Sequence, residues 1–210
     1  KTMPGVDEGI ELMGDYCDVD GARVFGLKYS GAKTVKQIPR IAKEIKTINE
    51  LHGKPELTIL MMHIGLRGTL PYAPELQMEM RAEEVFALKD VVDYLALGHY
   101  HISYALDGWI YNGGCPELYS QKEYGYDSGY YVYDDRTVHL EKVDARPVVK
   151  LEVKEYSGPE SLCRSIEIQL KKISTAGGKP MIFIDLESRE EIDLNELENK
   201  LSQFNPLFRK

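Results

Sequence analysis

His63, His99 and His101 are the residues of this sequence whose type and spacing could do chemistry. Imidazole is a common ligand for transition metals, and it ligates as the neutral base. His99 and His101 stand one residue apart in Gly98-His99-Tyr100-His101, and His63 stands in Met62-His63-Ile64-Gly65. Both motifs close an apolar run, Leu57–Met62 in one case and Val91–Leu97 in the other. Such runs, stopped at a glycine, read as buried strands. The glycine lets the backbone turn sharply beside the ligand. If the two strands are parallel neighbours, all three histidines meet at one sheet edge, where open α/β sheets place their sites. A single histidine at a strand end is ordinarily a hydrogen-bonded structural residue. Two such ends, one of them carrying His-x-His, favour a metal site.

The elements that must position these histidines are legible around them. Asp20-Gly21 reads as a hairpin turn between a strand near Glu11–Cys17 and a second strand, Arg23–Tyr29. The Asp-rich stretch before it lacks the ligand spacing and closing Glu of an EF-hand. From Thr34 to about Leu51, Val35, Ile38, Ile41, Ala42, Ile45 and Ile48 follow helical spacing. Pro39 suits the interior of such a helix poorly, so its regular part is expected to begin later. Lys33, Lys36, Arg40 and Lys43 share the opposite face, which reads first as a solvated face and second as a phosphate contact. After the His63 strand comes a loop in which Arg67 could contact an anion. Residues 81–90 read as a helix leading into the His99 strand. Strand, helix, strand predicts a parallel pair in an α/β layer.

Beyond His101 the texture changes. Ile102–Leu106, Trp109–Tyr111, Gly129–Tyr133 and Val138–Val143 are short, aromatic, alternating segments that read as an antiparallel block. Its tyrosines could stack on bases, although tyrosine is also a favoured strand residue. Arg146-Pro147 marks a boundary. After it, Val149, Leu151 and Val153 alternate with charged residues as a strand. Ser157-Gly158-Pro159-Glu160 opens a helix carrying Leu162, Ile166, Leu170 and Ile173, which Gly177-Gly178 ends. Met181–Leu186 is a strand. Asp193 and Glu196 cap a last helix with Leu194, Leu197, Leu201 and Phe204 on one face. The tail is therefore βαβα, and the expected division is 1–146 and 147–210.

Composition bounds the function. The chain has 210 residues, 43% hydrophobic, enough for one or two cored domains. No apolar run reaches membrane-spanning length, so no membrane partner is expected. Cys17, Cys115 and Cys163 are far apart and odd in number, which disfavours a disulfide framework and a Cys-zinc site; reduced thiols and a cytoplasmic location (nuclear in a eukaryote) are the default. The net charge of −8 argues against a broadly basic nucleic-acid coat. Residues 146–210 are neutral, so the negative charge lies in the front part, where it is compatible with metal binding.

Together these segments resemble the calcineurin-like metallophosphoesterases, and more closely the SbcD-like and meiotic recombination nucleases of double-strand-break repair. Ile59–Gly65 looks like that family's fourth metal motif, and Leu97-Gly98-His99-Tyr100-His101 like its fifth, Gly-His-x-His. Ser128–Tyr133 resembles the strand that follows, and Arg146-Pro147 the junction with a small DNA-binding cap. The resemblance implies an α/β fold: the C-terminal half of a metallophosphoesterase β-sandwich flanked by helices, plus a βαβα capping domain. It implies two Mn2+ ions, with His63 and His99 on one and His101 on the other. It also implies manganese-dependent double-strand exonuclease and single-strand endonuclease activity on DNA, an SMC-like ABC ATPase partner and a homodimer. Two departures accompany it. Tyr111-Asn112-Gly113-Gly114-Cys115-Pro116 stands where the family has Tyr-Pro-Gly-Ser. The first three family motifs, with the remaining ligands and the catalytic histidine, are expected upstream of Lys1, so this chain alone is expected to be nearly inactive. Other readings are a non-catalytic DNA-binding fragment and a phosphodiesterase acting on small substrates.

Overall fold

A computed structural model describes residues 16–29, 31, 33–70, 80–118, 120–154, 157–172, 179–186, 192–204 and 207–209. The chain is a mixed α/β protein of two compact units: residues 1–115 with 129–140, and residues 116–128 with 141–210.

The first unit is built on a six-stranded sheet. Its strands are β1 (Cys17–Val19), β2 (Ala22–Leu27), β3 (Leu57–Met62), β4 (Tyr94–Leu97), β5 (Ser103–Leu106) and β6 (Ile110–Gly113), in the order β1-β2-β3-β4-β6-β5. β2, β3, β4 and β6 are parallel, and β1 and β5 are antiparallel edges. β1 begins where the earlier strand was expected to end; the rest of Glu11–Cys17 before Tyr16 lies outside the described residues. Asp20 and Gly21 turn β1 into β2 with φ 46° and 84°. Two positive φ values at a two-residue turn match the right-handed twist of the strands it joins.

Helix α1 (Lys33–His52) buries Thr34, Ile38, Ile41, Ala42 and Ile45. The expectation that regular helix begins after Pro39 is corrected: α1 runs through it. Pro39 is exposed and removes one backbone donor. Ile38, Ile41 and Ile45, all at most 2% exposed, outweigh that loss at about 2 kcal/mol of burial each. Residues 81–90 hold a helix, as expected. They form a 3₁₀ helix, Ala82–Leu88, burying Val85 and Leu88 three residues apart and leaving Phe86 exposed. An i, i+3 apolar pair suits three residues per turn.

The block after His101 is antiparallel only in part. The β5–β6 hairpin folds back so that β6, not β5, lies against β4, and that pairing is parallel. β7 (Gly129–Asp134) and β8 (Thr137–Lys142) form a separate hairpin. The core of this unit joins Phe25, Leu27, Leu60, Met62, Leu95, Leu97 and Ile110 of the sheet to the buried face of α1, with Val85 and Leu88.

In the second unit β9 (Val148–Val153), β10 (Met181–Leu186) and β11 (Leu207–Arg209) form a parallel sheet in the order β11-β10-β9. β11 extends the βαβα pattern by a strand. Helix α2 (Pro159–Leu170) starts after Gly158 at φ 102°, with Pro159 in its first turn. Ile173 and Gly177-Gly178 lie outside the described residues. Helix α3 (Leu194–Lys200) is capped by Asp193, whose carboxylate accepts from the backbone N–H groups of Asn195 and Glu196. Val149, Leu151, Leu162, Ile166, Leu170, Ile182, Leu197 and Leu201 make its core. Among the described residues no helix is long and apolar enough to cross a membrane.

Candidate metal centre

Three parallel strands end together. Leu27 of β2 is in register with Met62 of β3, and Met62 with Leu97 of β4. Tyr29, His63 and His99 follow those ends by two, one and two residues. The sheet's register therefore delivers the two histidines to one edge. Their ring centroids are 5.3 Å apart, at 77° to each other.

Two glycines make this approach possible. A Cβ at Gly98 would stand 3.1 Å from His63 Nδ1. A Cβ at Gly65 would overlap the Tyr100 ring, which is buried against it. The loops carrying His63 and His99 are thus locked face to face. His99 itself has φ 85°, a left-handed conformation rare for a residue with a Cβ. Such strain concentrates at functional sites. Burial, then the neighbouring His63 and His101, push the His99 imidazole below its ordinary pKa. That favours the neutral form that binds metal.

His101 is held from below by Asn112 of β6. The Asn112 amide, fully buried, donates to the carbonyls of Tyr100 (2.8 Å) and Ile102 (2.6 Å) on either side of it. Gly114 passes so close that a Cβ would meet the His101 carbonyl oxygen at 3.0 Å. A ring nitrogen of His101 and Sγ of Cys115 lie within 4.8 Å of each other. Arg67, four residues past His63, donates its backbone N–H to the Met80 carbonyl, and its buried Nε has no hydrogen-bond partner.

The residues fit a divalent transition metal in part. Two adjacent imidazoles, one kept neutral, are suitable donors. Among the described residues, no third His, Cys, Asp or Glu completes with His63 and His99 a set whose ligand atoms all lie within 4.8 Å of one another. The structure thus joins His63 to His99, places His101 near enough to influence His99 and aligns it with Cys115.

The chain matches no family model and no curated protein.

Sequence reasoning missed Tyr29 and Asn112. Tyr29 could have been found as the residue just past the third parallel strand. Asn112 falls just past the expected strand Trp109–Tyr111, where nothing in the local pattern marks its amide as buried.

Proposed function

We propose that this chain carries part of the metal centre of a manganese-dependent DNA repair nuclease, a double-strand exonuclease and single-strand endonuclease working with an SMC-like ABC ATPase. The observation that carries the reading is the His63–His99 pair at the common end of β3 and β4, beside Gly98. Its adjacency supports one metal held by His63 and His99, with His101 serving a second. Bound metal ions would lower the pKa of a water and neutralise charge on the scissile phosphate. The chain's own residues orient the donors: Gly65 and Gly98 permit the close approach, and Asn112 sets the backbone on either side of His101. Arg67 is the candidate contact for the DNA phosphate. In this reading carboxylates, which favour manganese over zinc, complete the ligand set.

The test is cleavage of linear DNA in manganese, comparing the chain with its His101→Ala variant. This reading expects no cleavage by the chain alone, and His101-dependent cleavage once the parent nuclease's remaining residues are supplied. If the completed protein still fails to cleave, but binds DNA with an affinity that falls steeply with salt, the non-catalytic reading replaces it. Turnover of a small phosphodiester without DNA preference would point to the third reading.

A further inference from the structure

Tyr29 is a large aromatic side chain left 49% exposed, and it belongs to neither hydrophobic core. Its ring contacts are the two histidines instead. It stacks on His99 at 6.1 Å and 22°, and meets His63 edge-on at 6.1 Å and 83°. Each of the three residues comes from a different strand end. On His99, Tyr29 is the second near-parallel ring: Tyr100 lies at 5.5 Å and 30°. Tyr100 is buried and fixed over Gly65, so it cannot follow the imidazole. The backbone of His99, at φ 85°, has no local preference for its conformation. What sets the imidazole beside His63, rather than swung into solvent, must come from its neighbours. Aromatic rings at these separations attract one another in stacked and edge-on arrangements.

We propose that Tyr29 is a positioning residue of the metal site, its ring holding the His99 imidazole beside His63. The proposal rests on the reading of His63 and His99 as metal ligands. Tyr29 acts through His99 and is not itself a ligand, so the ring matters and the hydroxyl does not. Groups that orient metal ligands from outside typically contribute ten- to a hundred-fold to affinity.

The experiment is a Co2+ titration of the full chain, followed by visible absorption and calorimetry, with circular dichroism to verify folding. Four proteins are compared: wild type, Tyr29→Phe, Tyr29→Leu and His63→Ala. Tyr29→Phe keeps the ring, and wild-type affinity is expected. Tyr29→Leu keeps bulk but loses the ring, and about tenfold weaker binding is expected. Equal affinity in Tyr29→Leu and wild type, with His63→Ala impaired, overturns the positioning role while leaving the metal site standing. Loss in Tyr29→Phe as great as in Tyr29→Leu overturns it as well, because the hydroxyl would then be acting. No Co2+ binding by wild type, or unchanged binding in His63→Ala, removes the metal-site reading and this proposal with it.

Discussion

His99 combines two properties: an imidazole whose pKa is lowered by its surroundings and a left-handed backbone. Both make sense if the imidazole must sit against His63. The two contributions can be separated by substitution. His99→Ala and His99→Gly remove the same ligand but differ in the Cβ that the left-handed conformation penalises. His99→Gly is therefore expected to be more stable than His99→Ala by about 1 kcal/mol in urea unfolding, while both lose metal affinity. Equal stability would mean that the loop relaxes and that the conformation stores no strain. That the histidines stand at strand ends was legible, because each follows an apolar run and a glycine marks the turn. Their partners were not: Tyr29 precedes His63 by a whole helix and strand, and Asn112 acts from the far side of a hairpin.

The elements show the same division. The two-residue turn of the β7–β8 hairpin, Asp135-Arg136, has φ 41° and 63°. Glycine is favoured at the second position of such a turn and arginine is not. Arg136→Gly is expected to raise the thermal midpoint, by about 1 kcal/mol in stability; a lower midpoint would show that the arginine side chain contributes more than its backbone costs. At the β1–β2 hairpin the buried Arg23 guanidinium donates to Asp18 Oδ1 (2.8 Å) and Oδ2 (2.9 Å), to Asn49 and to the Gly53 carbonyl, tying the hairpin to the end of α1. The hydrogen bond from Arg23 is the largest cause holding the Asp18 carboxyl below its usual 3.8. A folded-state pKa below the unfolded one stabilises the fold above the unfolded value. That contribution is lost as pH falls through the folded value. Asp18→Asn should therefore be less stable than wild type at neutral pH, with the difference shrinking below about pH 4. A difference independent of pH would assign the effect to packing. The helix expected at 81–90 became a 3₁₀ helix because Val85 and Leu88 alone reach the core, a distinction that apolar spacing over one short segment could not make.

In the molecule as a whole, two cores are separate in composition and in sequence. Ile166 is fully buried in the second. Ile166→Ala is expected to cost about 3 kcal/mol in that unit and to leave Co2+ affinity at the histidines unchanged. Metal affinity falling in parallel would show that the two units fold as one. The parallel pairing of β3 with β4 was readable from local pattern, since strand, connecting helix and strand imply a crossover and a common direction. The direction of β6 was not: hairpin signals specify that β5 and β6 are antiparallel to each other, but not which of them lies against β4. Strand existence, the apolar face of α1, the Asp193 cap and the histidine strand ends all follow from contacts a few residues apart, and so are written in the chain. The meeting of His63 with His99, the clamp of Asn112 on the His101 turn and the ring of Tyr29 over the pair depend on strand order and register. Those are decided by how distant apolar faces pack together, which no local spacing encodes.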